Sequence, residues 1–260
     1  MSLVSKFTSA FTILLTTTLA AFSFPTVYGD TGLIMTPTAE TVGAYNFDLA
    51  CSYTQVNAAP NAAAILPARL TYGISPNTEI GIFLSESSNN QGNGFDIKGG
   101  SLKLIYSKEN VLAMQPGLAF GVRVAKQSTD RPDITEAYSV VTKTVFARGD
   151  MDSQGYAFRA HAGAAVTTYS GAQGKTFLGP FAAMDYINTS GNTLMVEFLP
   201  EQKSSGVFYR RSTISAAIRR PLSDSFEVEL GTTRLFGDVA SDMAFYGGLN
   251  YHYTSNGAQW

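Results

Sequence analysis

Leu118-Ala-Phe-Gly-Val-Arg-Val-Ala125 decides the fold. Leu118, Phe120, Val122 and Val124 share one parity, and Gly121, Arg123 and Ala125 take the other. A period of two marks a β-strand with one apolar and one polar face. Upstream, Leu102, Leu104 and Tyr106 oppose Lys103, while Ile80, Ile82 and Leu84 oppose Glu79 and Gly81. Leu66, Leu70 and Tyr72 oppose Arg69 and Thr71, and Phe47, Leu49, Cys51 and Tyr53 oppose Asp48 and Ser52. Downstream, Phe158, Ala162 and Val166 are backed by Arg159, His161 and Thr167; Leu178, Met184 and Tyr186 by Gly179 and Asp185. Leu194, Val196 and Phe198 flank Glu197, Phe226 and Val228 flank Glu227 and Glu229, and Leu249 and Tyr251 flank Asn250 and His252. Two further strands are less distinct. One spans about 137–147 with Lys143 as its polar marker, and one spans about 207–218, where Arg210 and Arg211 fall on opposite faces. Lys98 shares the parity of the apolar residues after it, which leaves it ahead of the fourth strand. The total is about twelve strands.

Ahead of the strands, residues 11–22 (FTILLTTTLAAF) form an apolar run behind Lys6, with Ala21 and Ser23 at signal-peptidase spacing. Residues 1–23 therefore read as an export signal. Twelve residues with four threonines are too few to anchor a helix in a bilayer, which needs ~20. Charged residues make up 15% of the chain, against roughly 25% in an ordinary soluble domain. The 18 basic and 20 acidic side chains are nearly balanced, which argues against nucleic acid as a partner. Cys51 is the only cysteine, so no internal disulfide forms, and it reads as a small apolar strand residue.

Connections alternate in length. Tight turns at 75–77, 189–192 and 221–223 follow even strands, whereas longer polar stretches at 55–63, 87–96 and 126–136 follow odd ones. Segments 107–116 and 148–154 depart from the rule. Short turns at one end, long loops at the other and aromatic residues at the strand ends describe an outer-membrane barrel with both termini on the periplasmic side. A soluble sandwich or lipocalin-like barrel needs a charged exterior, and the polar face here is too sparsely charged to supply one. The expectation is an all-β protein: a closed antiparallel transmembrane outer-membrane β-barrel of about twelve strands. Residues 24–43 precede it as a periplasmic or lumenal segment, 44–254 form the barrel, and 255–260 a tail. Tyr253 is in phase, whereas the terminal Trp260 is not.

Tyr28-Gly-Asp-Thr-Gly-Leu-Ile-Met-Thr-Pro-Thr-Ala39, with Gly43 following, resembles the N-terminal motif of the YjbH-type outer-membrane barrels. Residues 77–81, 100–104, 116–123, 138–146, 179–198 and 206–210 are similar in kind. The resemblance covers most of the chain after the signal, in a short single-barrel form of a family whose members are often far longer. It implies an outer-membrane protein linked to exopolysaccharide production or export, without an established enzymatic role.

The polar phase carries the candidate site. Lys103, Arg123, Lys143 and Arg159 lie on four consecutive strands and predict a basic lumen wall. Asp48, Asp185, Glu197, Glu227 and Glu229 predict an acidic wall opposite. Such walls either pair and plug the lumen or leave a narrow polar channel of the porin kind. Tyr28, Thr31, Gly32, Thr36 and Pro37 belong to a Gly- and Thr-rich segment at the mouth and are the candidate plug. A barrel-embedded lipid hydrolase or acyltransferase is a third reading. It requires a histidine beside a hydroxyl facing the membrane, and His161 and His252 fall on the lumenal phase. No metal-ligand spacing occurs, and no cofactor is expected. Outer-membrane lipids, the barrel assembly machinery and polysaccharide or polysaccharide-export proteins are the expected partners.

Overall fold

The computed structural model describes residues 24–26, 28–57, 63–89, 95–127, 132–148, 156–170, 174–204, 207–210, 212–236 and 242–255. The predicted export signal and Trp260 lie outside them. Twelve antiparallel strands form a closed barrel. They are β1 (Phe47–Asn57), β2 (Ala63–Ser75), β3 (Thr78–Asn89), β4 (Phe95–Ser107), β5 (Gly117–Gln127), β6 (Ile134–Arg148), β7 (Tyr156–Tyr169), β8 (Lys175–Ile187), β9 (Thr193–Leu199), β10 (Ser212–Pro221), β11 (Phe226–Phe236) and β12 (Asp242–Tyr253). Each strand pairs with its neighbours in sequence, and β12 closes on β1 with Tyr253 opposite Phe47. The end where β1 begins and β12 finishes is here the terminal end; the opposite one is the loop end.

The barrel is apolar outside and polar inside. Leu66, Leu84, Val124, Leu178 and Phe245 are exposed, while Asp48, Glu79, Lys103, Asp185, Glu197 and Asn250 are buried. A soluble domain inverts this arrangement, so the soluble alternative fails on burial alone. No helix among the described residues is long and apolar enough to cross a membrane. Aromatic rings gather on the outer face near the terminal end. Phe47 stacks on Tyr253 at 5.0 Å, Phe226 meets Tyr251 at 5.0 Å, and Phe146, Tyr156 and Tyr186 form a chain of contacts. These ring contacts make one interfacial girdle.

Strand lengths depart from the expectation. β6 has 15 residues, and the polar stretches expected to be loops continue as paired strands: Ser87 still faces Phe95, and Gln127 faces Ile97. Above the apolar band both faces are polar, and alternation no longer marks a strand that its ladder hydrogen bonds sustain. Lys98 accordingly lies within β4, on the outward face. The tenth strand begins at Ser212 rather than near 207. Val207–Arg210 instead pairs with Gln202–Ser204 in a separate hairpin at the loop end; Arg211 lies outside the described residues.

Two kinds of cross-strand pair organise the inner face. Four inward glycines lie opposite aromatic residues on the next strand: Gly99–Phe83, Gly121–Tyr138, Gly163–Phe181 and Gly231–Tyr246. In each pair a side chain on the glycine would collide with the facing ring. The missing side chains let the rings lie flat along the wall and keep the centre of the barrel free. The second kind of pair is ionic and builds the site.

Candidate functional site

Register brings the lumen charges together. Glu79 lies directly opposite Lys103, Arg123 opposite Glu136, Arg159 opposite Asp185, Arg219 opposite Glu229, and His252 opposite Asp48. The corresponding ion pairs measure 2.9 Å for Lys103–Glu79, 3.1 Å for Arg123–Glu136, 2.5 Å for Arg159–Asp185 and 2.8 Å for Arg219–Glu229; His252 also contacts Asp48. Facing residues on adjacent strands are about 5 Å apart, close enough for long side chains to pair without reaching across the barrel. The expected basic and acidic walls therefore do not exist as separate surfaces. Lys103 and Arg123 do face the lumen, as do Asp48, Asp185, Glu197, Glu227 and Glu229, and Arg159 does so through its pairs with Asp185 and Glu40. Lys143 does not, because in β6 the inward positions are Glu136, Tyr138, Val140, Thr142 and Thr144. Its even-numbered partners carry the polar face, and Lys143 is half-buried on the outward one.

The centre of the lumen holds the chain's own N-terminal segment. Thr31, Thr36 and Thr38 are buried, as are Leu33, Ile34, Ala39 and Val42. The segment folds on itself in the space the wall encloses. Thr26 and Asp30 close a turn that carries Gly29 at φ 82°, and Phe24–Pro25 pairs with Thr31–Gly32. Gly32 also bridges to Pro37, and Leu33 N–H donates to the Thr36 carbonyl at 2.9 Å, closing a hairpin with its tip at 33–36. At Gly32 a side chain would strike the Thr36 carbonyl and the Thr26 methyl, so glycine is required by close approach. The wall is indented to match. Inward Gly73 makes room for the Gly43 carbonyl, and inward Gly81 for that of Gly29.

The hairpin stem is held by polar groups of β3 to β6. Arg123 donates to both Asp30 oxygens, with contacts of 2.9 to 3.1 Å, and its guanidinium lies 4.7 Å from the centres of both the Tyr28 and Tyr138 rings. Tyr138 and Thr26 hydroxyls complete the shell around the Asp30 carboxylate. Burial works against the Asp30 charge, but Arg123 and Lys103 outweigh it and hold the carboxyl below its ordinary pKa. Thr31 N–H donates to Glu79 at 2.7 Å, and Lys103 Nζ donates to the Thr31 carbonyl at 2.8 Å. Near the terminal mouth, Glu40 pairs with Arg159, and Val42 N–H donates to Glu79 at 3.1 Å.

The tip reaches the opposite wall. Leu33 and Ile34 pack with Ala183, Met195 and Ala217 of β8 to β10. Met35 and Thr36 N–H groups both donate to the Glu197 carboxylate at 3.0 Å. Two successive backbone N–H groups aimed at one carboxylate make a small anion nest. The candidate plug residues Tyr28, Thr31, Gly32, Thr36 and Pro37 all lie within this lumenal segment.

A hydroxyl–imidazole–carboxylate series is present but closed. Thr142 Oγ1 is 2.9 Å from His161 Nδ1, and His161 Nε2 is 3.5 Å from Asp185, longer than a hydrogen bond. Thr142 also accepts the Ala39 N–H at 2.8 Å, so the hydroxyl is engaged by the segment on its lumenal side. His161 is buried inside the barrel and does not face lipid. Among the described residues no group of three or more His, Cys, Asp or Glu is placed to hold a metal ion.

Sequence reasoning put Glu79 on the polar face but left it out of the acidic wall, and it missed Asp30, Glu40, Glu136 and Arg219 as lumen residues. Glu136 fell in a stretch read as loop, and Arg219 beyond a strand placed too early. The inward glycines at 73 and 81 were a legible sign of close backbone approach.

No family model matches the sequence, and no curated protein does so significantly. Among solved structures, a KdgM porin superposes with a TM-score of 0.58 at 8% identity, covering 80% of this chain and 99% of that one. A KdgM porin in complex with disordered oligogalacturonate gives 0.57 at 8% identity, with 80% and 99% coverage. An outer-membrane channel from Pseudomonas putida F1 gives 0.48 at 9% identity over 83% and 98%. Likeness at these identities concerns architecture: the chain has the fold of an outer-membrane β-barrel.

Proposed function

We propose that this protein is an outer-membrane channel barrel, of the porin kind, held shut by its own N-terminal segment. One observation carries the reading. The lumen is filled by a separate, self-folded piece of chain, and the wall behind it remains a polar, ion-paired cylinder. Twelve strands are more than the eight whose side chains fill a barrel by themselves. Within the lumen, cavities of about 20 and 10 Å³ flank Tyr28 and Arg123, room for roughly one water each. The reading is non-enzymatic, and it places the terminal end in the periplasm and the loop end outside.

The cargo we propose is a linear saccharide. The exopolysaccharide role implied by the YjbH-type resemblance supports it, as does the similar KdgM structure that holds an oligogalacturonate. Liposome swelling tests channel and cargo together. Proteoliposomes of the intact chain should swell slowly in a neutral sugar, and those of a variant lacking residues 25–38 should swell fast. A deletion barrel with normal heat-modifiable mobility and no gain in permeability would exclude the channel reading.

A further inference from the structure

Asp30 is the one carboxylate of the segment with a complete receptor. We infer that Arg123 and its surroundings form a carboxylate-binding site, reached from the loop end, in which Asp30 stands in for the acid group of an external ligand; the inference rests on the gated-channel reading. Arg123 presents a two-pronged guanidinium to Asp30 and is clasped between the Tyr28 and Tyr138 rings. A bidentate arginine is the strongest side-chain receptor for a carboxylate. Tyr138 supplies a hydroxyl donor from the wall. Among the described residues, removing Asp30 would leave Glu136 as the one ionic partner of Arg123, so an incoming carboxylate replaces the lost charge one for one.

The route to Arg123 is also visible. The cavity of about 20 Å³ beside it is lined by Ala125, Ile134, Glu136, Thr167 and Tyr169, residues on the loop-end side. Gln202, from the loop-end hairpin, is buried above this cavity. It accepts from the Tyr169 hydroxyl at 2.7 Å and donates to Thr167 at 3.1 Å. Thr167 donates in turn to Glu136 at 2.9 Å, and Glu136 holds Arg123 at 3.1 Å. An unbroken line of hydrogen bonds thus joins the external hairpin to the latch. A ligand that lifts Gln202 frees Thr167 and Glu136 and meets Arg123 next. The ligand class is a carboxylated saccharide or another small carboxylate, and neutral sugars are excluded.

The test compares D-glucuronate with D-glucose, which differ at one carbon, at millimolar concentration and matched ionic strength. A Thr36→Cys substitution in a Cys51→Ser background reports segment release by maleimide labelling, because Thr36 is buried in the closed barrel. Glucuronate should speed labelling about tenfold, equivalent to about 1.4 kcal/mol of differential binding, and glucose should not. Arg123→Gln should abolish the response. If that variant lacks heat-modifiable mobility, Arg123→Lys replaces it and should weaken the response by keeping charge without the fork. Gln202→Ala should raise the basal labelling rate. Equal effects of glucuronate and glucose, or an undiminished response in a folded Arg123 variant, would overturn the site. Labelling that responds while conductance stays flat would uphold the site and count against the channel reading alone.

Discussion

The two ends of the lumenal hairpin are held by different chemistry. At the stem, charged and hydroxyl groups of β3 to β6 clamp Asp30 and Thr31, with Arg123, Lys103 and Glu79 as principal contacts. At the tip, Leu33 and Ile34 sit against Ala183, Met195 and Ala217, with polar ties from Glu197 and, at 3.4 Å, from Arg123 to the Met35 carbonyl. A polar clamp in a water-excluded lumen is strong while complete, yet it opens when one partner is protonated or exchanged. An apolar contact has no such trigger. The difference teaches that the stem is the element able to respond, and the tip the element that returns the segment to one position.

Breaking the stem should have the larger effect. Asp30→Ala leaves Arg123 buried with half its partners, a loss on the order of 3–5 kcal/mol. It should lower the temperature of heat-modifiable conversion and raise labelling of Thr36→Cys. Next in size, Leu33→Ala should weaken tip docking by about 2–3 kcal/mol through lost contact and a residual cavity. Arg123 links the two by also reaching the Met35 carbonyl at 3.4 Å, so the double substitution should depart from additivity by no more than about 1 kcal/mol. A larger coupling would show that stem and tip are a single unit and would dissolve the contrast.

Acid separates them without mutation. Asp30 has a lowered carboxyl pKa in the folded barrel, so its share of the clamp is fully present above the ordinary carboxylate value and is lost as pH falls through the lowered one. The Asp30-dependent part of Thr36→Cys labelling should therefore stay constant from neutral pH down to the ordinary carboxylate range and rise only below it. Asp30→Asn should abolish the Asp30-dependent part of that rise, while Leu33→Ala should keep it. Smallest of all, His161→Ala should change segment release by no more than about 1 kcal/mol, because Thr142 still accepts the Ala39 N–H. A large effect there would move the clamp towards β6 and β7.

The sequence exposed the faces of the strands far better than their partnerships. Alternation around Leu118–Ala125 and its counterparts assigned inward and outward residues almost throughout, because a buried polar phase and a lipid-facing apolar phase differ sharply in composition. It misplaced Lys143, since β6 carries Thr142 and Val140 inward and little separates its two faces. Register is a property of pairs of strands. A reading of single strands could not show that Glu79 faces Lys103, or Glu136 faces Arg123, and so built two walls where local pairs exist. The segment's place in the lumen was legible from its Gly and Thr content and its position before β1. Its charged anchors, Asp30 and Glu40, were not, because their partners lie far along the chain.

Planar-bilayer recording of the intact chain beside the 25–38 deletion tests the central claim most directly. The account predicts a nearly silent intact barrel and discrete, salt-dependent steps from the deletion variant, both with confirmed insertion. Steps of equal size from the two proteins would contradict it.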